Sequence, residues 1–211
     1  MSKLEFFFDC SSPWTYLAFH RIGDLAAEAG ADLGWRPILV GGVFNAVNPS
    51  VYEQRTNPVP PKARYYAKDL GDWARHYGLR IGMPAAFPVN SVKAMRGALV
   101  ADEKQRLPAY ARAVFEKYWG DLEDISRDEV LAGIADRVGL DRDEFLGKIA
   151  APEYKAKLRA NTEELIARGG FGSPTIFVNA DDMYFGNDRL VLVREALRAR
   201  EGTDTGGRSR V

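Results

Sequence analysis

"FFFDCSSPWTYL", Phe6 to Leu17, decides how the chain folds. An aromatic run ends at Phe8. Asp9, Cys10, Ser11 and Ser12 follow, and Pro13 opens a segment with helical spacing. Leu4 to Phe8 is short, apolar and aromatic, which predicts a buried strand. Ser11 or Ser12 suits a helix N-cap. Proline suits the first helical position, where its missing N–H has no intrahelical partner to lose. Trp14, Leu17, Ala18, Ile22, Leu25 and Ala29 keep near-helical spacing, and Gly30 fits a C-terminal cap.

Outward from there, "ADLGWRPILV" supplies a second strand around Leu33 to Leu39. Strand, helix, strand is a βαβ unit and predicts a parallel pair. Residues 41–63, "GGVFNAVNPSVYEQRTNPVPPKA", are rich in Gly, Asn and Pro and show no clear period, which predicts a long irregular segment of the kind that is often functional. From about Lys62 to Arg168 the pattern reads as helices only. Tyr66, Leu70, Trp73 and Tyr77 form one stripe; Val92, Met95 and Leu99 a second; Tyr110, Val114 and Tyr118 a third. "SRDE" at Ser126 to Glu129 reads as a capping box and "DRDE" at Asp141 to Glu144 as its near variant. Pro152 opens a further helix that ends at Gly169.

The pattern then reverts. "FGSPTIFVNADDMYFGNDRLVLVREALRAR" reads as strand, turn, strand, helix, with "NADD" as the turn and Asn187 or Asp188 capping the last helix. The order is β-α-β, many helices, then β-β-α. That is an α/β chain of thioredoxin-like topology with a large all-helical insertion domain. Residues 1–44 and 169–200 make the discontinuous thioredoxin-like domain, 45–168 the loop and helical insertion, and 201–211 a polar, Gly-rich flexible tail.

Composition narrows the function. The chain has 211 residues, 46% of them hydrophobic, enough for a sizeable core. Lys and Arg number 29 and Asp and Glu 29, a balance that argues against an electrostatic nucleic-acid binder. No apolar run approaches the roughly 20 residues that span a bilayer, so no membrane partner is expected. "MSKLEFFFDCSS" reads as a strand rather than as an export signal. Cys10 is the only cysteine, so no internal disulfide forms, and a reducing, cytoplasmic location is the simplest expectation.

The chemistry concentrates at two places. At the strand-to-helix corner, unpaired N–H groups and the positive end of the helix dipole stabilise anions, thiolates among them. A dithiol oxidoreductase needs two cysteines there; this chain has Cys10-Ser11-Ser12-Pro13. Cys10 is either a nucleophile or a small buried hydrophobe. Ser12 is either a plain helix cap or a hydroxyl that donates to a thiolate brought by a cofactor and holds its pKa down. His20 and His76 have no partner that the sequence specifies, which gives a Ser-His triad little support. The second place is "GSPT", Gly172 to Thr175. Ser173-Pro174 is either a turn or a cis bond that leaves the Ser173 backbone free to pair with an extended peptide. A thiol-bearing peptide held at a backbone edge and a helix N-terminus suggests glutathione. Asn187 and Asp188 in "GNDR" are helix caps or ligands for an α-amino group. Asn57 and Lys62 in "TNPVPPK" are either loop surface or part of the site.

"FFFDCSSPWTYL", "FGSPTIFV" and "YFGNDRL", with "KDLGDWARHYGL" at Lys68 to Leu79 and "FPVNSVKAMR" at Phe87 to Arg96, resemble the 2-hydroxychromene-2-carboxylate isomerases. These stand with the kappa-class glutathione transferases in the DsbA-like branch of the thioredoxin fold. The resemblance covers residues 3 to 198. It implies glutathione as cofactor, with Ser12 on its sulfur as the catalytic residue, and Ser173, before cis Pro174, on its cysteinyl backbone. Asn187 and Asp188 would hold its γ-glutamyl end, and Asn57 would lie near thiol and substrate. It also implies reversible thiolate addition to a chromene acid, bond rotation and elimination, in a homodimer. Phe44 and Asn45 stand where the family commonly carries a lysine near the substrate, and Lys62 and Arg64 are candidate cations for its carboxylate. Two alternatives stay open: a kappa-type transferase acting on another electrophile, and a thioredoxin-fold binding protein without catalysis.

Overall fold

The computed structural model describes residues 2–204. Strand β1 (Lys3–Phe8) pairs in parallel with β2 (Asp32–Pro37) in the register Phe6 to Trp35. On its other edge β1 runs antiparallel to β3 (Thr175–Val178), which pairs antiparallel with β4 (Asp182–Phe185). The sheet order is β2-β1-β3-β4, the mixed sheet of the expected thioredoxin-like topology. β1 is central and covered on both faces, which explains its unbroken apolar run. Because side chains alternate along a strand, Phe6 and Phe8 enter the larger core while Phe7 meets Ile38, Val43, Leu165 and Phe177 on the opposite face.

Among the described residues there are ten α-helices. α1 (Pro13–Glu28) links β1 to β2, and its Leu17, Ala18, Ile22 and Leu25 are buried as their spacing predicts. Then come α2 (Val40–Val47), α3 (Ser50–Thr56), α4 (Pro60–His76), α5 (Val92–Glu103), α6 (Leu107–Phe115), α7 (Asp128–Arg137), α8 (Arg142–Ala150) and α9 (Pro152–Ala167), all between β2 and β3. α10 (Leu190–Asp204) closes the chain, with Val193 and Leu197 inward. The main core is continuous from Phe6, Phe8 and Phe19 to Tyr110, Phe115, Trp119 and Phe145, so the inserted helices pack on the sheet layer rather than standing off it.

Several local expectations need correction. Residues 41–63 are not irregular: they hold α2, α3 and the start of α4. Their Gly and Pro residues mark close packing and helix ends. The Thr162 methyl group of α9 would lie 3.4 Å from a Cβ at Gly42, and Pro60 takes the first position of α4. The helical stretch is itself interrupted, because residues 77–91 carry no helix and include a cis Phe87-Pro88 bond. The capping box at Ser126 does not form. Asp124 accepts the Ser126 N–H at 2.9 Å instead, and α7 starts after Arg127 with no side-chain cap. Asp141, by contrast, caps α8 as expected, accepting the Glu144 N–H at 2.8 Å. The α4 stripe is only partly packed: Tyr66 is 49% exposed, Leu70, Trp73 and Tyr77 are half-buried, and Ala74 is the buried member of that helix. α10 runs four residues past Arg200, to Asp204; the remainder of the expected tail lies outside the described residues.

Candidate active site

The corner between β1 and α1 meets the segment before β3. Ser12 has extended backbone and caps α1, its Oγ accepting the Thr15 N–H at 3.2 Å. The same hydroxyl donates to the Ser173 carbonyl at 3.3 Å. Ser173-Pro174 is cis, and the Ser173 hydroxyl is fixed from below, accepting the Asp9 N–H at 3.0 Å and sharing a proton with Thr15 Oγ1 at 2.8 Å. The two serines singled out in the sequence, 161 positions apart, are thus in direct contact. The expected free edge is half realised: the Ser173 carbonyl is taken by Ser12, while its N–H has no acceptor among the described residues. The Trp14 N–H, in the first turn of α1, is likewise unpaired among the described residues, and Pro13 has no donor.

Beneath this corner lies Asp9, fully buried. One of its oxygens accepts the Ser11 N–H at 2.9 Å. The other accepts the Val40 N–H at 2.8 Å and the Ser91 hydroxyl at 3.0 Å. One carboxylate therefore ties the corner to the starts of α2 and α5. Burial pushes its pKa above the ordinary aspartate value, against the pull of those donors. Sequence reading passed over Asp9, although a charged residue directly after a buried strand was the available signal.

Cys10 is buried, with its N–H 3.3 Å from the Met95 sulfur and its carbonyl accepting the Trp119 Nε1–H at 2.9 Å. Burial, and then the neighbouring Asp9, push its thiol well above the ordinary range. That is the environment of an inert cysteine. Neither histidine is hydrogen-bonded to Ser12. His20 packs its ring against Tyr77, and His76 packs against Trp73 and Tyr77.

The other candidates separate into two groups. Pro174 accepts the Gly186 N–H at 3.2 Å, which sets "GNDR" beside the cis bond. Asn187 and Asp188 do not cap α10 with their side chains: a 3-10 turn over Asn187–Arg189 leads into it, following Gly186 at φ 103°. Asp188 is exposed and pairs with Arg189. Asn187 is only 3% exposed, yet its Nδ2 has no hydrogen-bond partner. Phe44 lies against the corner too, 3.7 Å from where a Gly172 Cβ would stand. Asn45 points to α3 instead, where its Oδ1 accepts the Tyr52 hydroxyl at 2.7 Å. Asn57 ends α3, exposed, and the Lys62 ammonium sits 5.5 Å over the Tyr66 ring of its own helix; no contact joins either to the serines.

The arrangement can hold an extended peptide at the Ser173 edge with a polar end toward Asn187 and an anionic group at the α1 N-terminus. The sequence model of the DSBA-like thioredoxin domain matches residues 3–198. A 2-hydroxychromene-2-carboxylate isomerase of Sphingobium xenophagum is 32% identical over 194 residues, 92% of this chain and 97% of that one. Glutathione S-transferase kappa 1 of Homo sapiens is 27% identical over 92% and 90% of the two chains. A solved structure of a 2-hydroxychromene-2-carboxylate isomerase superposes with a TM-score of 0.82 at 28% identity, covering 96% of this chain and 98% of that one.

Proposed function

Because the chain belongs to the DSBA-like thioredoxin domain family, together with the 2-hydroxychromene-2-carboxylate isomerases and kappa-class glutathione transferases it resembles, we propose that it is a glutathione-dependent isomerase of bicyclic chromene acids. The observation that carries this reading is the contact between Ser12, at the α1 N-terminus, and Ser173, before cis Pro174, in a chain whose one thiol is buried. The reactive sulfur then has to come from outside the protein.

The residues present fit glutathione. Asn187 keeps a buried, unpartnered amide for its γ-glutamyl end, with Asp188 beside it for the α-amino group. The free Ser173 N–H suits the cysteinyl carbonyl. When bound, glutathione supplies a thiolate able to add to a conjugated system and leave it again. The Ser12 hydroxyl, now on the Ser173 carbonyl, would donate to that sulfur, and the Trp14 N–H and helix dipole would add to its stabilisation. Thr15 and Asp9 fix Ser173 from behind, so the edge does not move as the hydroxyl turns. Phe44, Asn45, Asn57 and Lys62 are assigned to the substrate side. We also propose a cytoplasmic homodimer, with the exposed Tyr65 and Tyr66 of α4 supporting the pairing. Among the described residues, no helix is long and apolar enough to cross a membrane.

A kappa-type transferase is the second reading. It is favoured by the neutral Phe44 and Asn45, the latter engaged with Tyr52, at the positions where the resemblance implies a lysine. Both readings require an activated glutathione thiol. Its thiolate absorbance is to be titrated with and without the protein, and again with Ser12→Ala. A bound pKa well below that of free glutathione, raised by the substitution, is expected. Absence of binding, or an unshifted pKa, overturns both and leaves a non-catalytic binding protein.

A further inference from the structure

Arg55, in the last turn of α3, holds its guanidinium 5.6 Å from the ring centroid of Phe44 and 5.6 Å from that of Phe87. Both rings border the corner. Phe44 lies against Gly172, next to Ser173. Phe87 packs 6.0 Å from Trp119, whose indole N–H is bonded to the Cys10 carbonyl. Among the described residues Arg55 makes no ion pair and no side-chain hydrogen bond, so its planar fork of donors is uncommitted. α3 is docked by Tyr52, which meets Phe44 edge-on at 6.4 Å and donates to Asn45.

We infer that Arg55, held between Phe44 and Phe87, is the carboxylate-binding residue of this site, for a planar aromatic or conjugated acid whose ring lies on the exposed part of Phe87. The inference rests on the proposed reading of the site. Guanidinium binds carboxylate through two parallel N–H bonds. The flanking rings hold that fork by cation–π contact. Phe87 is 37% exposed, so part of its surface is available to a ligand ring. The candidates suggested by the sequence fit less well: Lys62 sits over Tyr66 on its own helix, and Asn45 carries no charge. Arg55 places a cation against Phe44, beside the neutral Asn45.

The test is equilibrium binding of salicylate, followed by tryptophan fluorescence, to the wild-type chain, Arg55→Gln and Arg55→Lys, with salicylamide as neutral control and glutathione binding measured in parallel. Arg55→Gln is expected to weaken salicylate by about 10-fold or more and to leave salicylamide and glutathione unchanged, with Arg55→Lys in between. Equal salicylate affinity in wild type and Arg55→Gln, or no preference of the wild type for salicylate over salicylamide, overturns the assignment. The glutathione measurement distinguishes that failure from failure of the wider reading: glutathione bound with salicylate indifferent to Arg55 sinks Arg55 alone. Where chromene acid is turned over, the same substitution is expected to raise KM with little change in kcat.

Discussion

The Ser12 hydroxyl donates to the Ser173 carbonyl at 3.3 Å while accepting the Thr15 N–H at 3.2 Å. One oxygen therefore caps α1 and closes the edge on which a peptide would pair. Ser12→Ala removes both bonds. The cap alone is worth about 1 kcal/mol, so urea melts should show a loss of that order, and on the proposed reading glutathione-dependent turnover should fall by much more than that loss explains. Ser12→Thr keeps a hydroxyl and should recover most of the stability. Unchanged turnover in the alanine variant would remove Ser12 from the chemistry.

Cys10 should be silent. Its thiol is fully buried and its pKa is driven up by desolvation and by Asp9. Alkylation by iodoacetamide at neutral pH is expected to be very slow in the native chain and fast in urea. Cys10→Ala should retain glutathione-dependent activity, at the stability cost of a small cavity. Rapid native labelling, or loss of activity with folding preserved, would make Cys10 the reactive atom.

How far the sequence reaches can be seen residue by residue. β1, α1 and β2 were legible because one strand period and one helix period meet at Pro13, and local chemistry suffices for both. Ser173-Pro174 was legible only through the topology that brings it to Ser12. Residues 41–63 were misread because Gly41, Gly42, Pro49 and Pro60 resemble loop composition; α2 packs on α9 through Gly42 and Val43, and α3 docks on α2 through Tyr52, contacts that no local window reports. Asp9, Trp119 and Arg55 were missed for a related reason. Their contacts, with Ser91, the Cys10 carbonyl and Phe87 in turn, are all remote in sequence.

Gly97 sets the approach of α5 to its neighbours. A Cβ there would collide with the Tyr110 hydroxyl and come within 2.7 Å of the Phe145 ring, both in the fully packed core. Tyr110 is also held by its bond to the Ala94 carbonyl at 3.2 Å and cannot easily retreat. Gly97→Ala gains helix propensity but overpacks the core, and a net loss of about 1–3 kcal/mol is expected in denaturant melts. A stabilised variant would show that α5 and α6 can separate freely.

Asp9 gives the fold a pH dependence of definite sign. Burial raises its folded pKa above the ordinary value of 3.8, so between those two values the native state holds more of the proton than the unfolded state does. Stability from this group is then fully present below the ordinary aspartate range and declines as pH rises through the folded pKa. Asp9→Asn cannot titrate. It also turns an NH2 toward the donors of Ser11, or of Val40 and Ser91, leaving at least one of them unpaired, at a cost of about 1–3 kcal/mol. The variant should therefore be less stable than wild type, and the gap should be widest in acid and narrow as pH rises, becoming flat once Asp9 is ionised in both states. Urea melts of the two proteins across a pH series would read this directly. A gap that widens with rising pH would mean that the three donors outweigh desolvation and hold the buried carboxylate ionised.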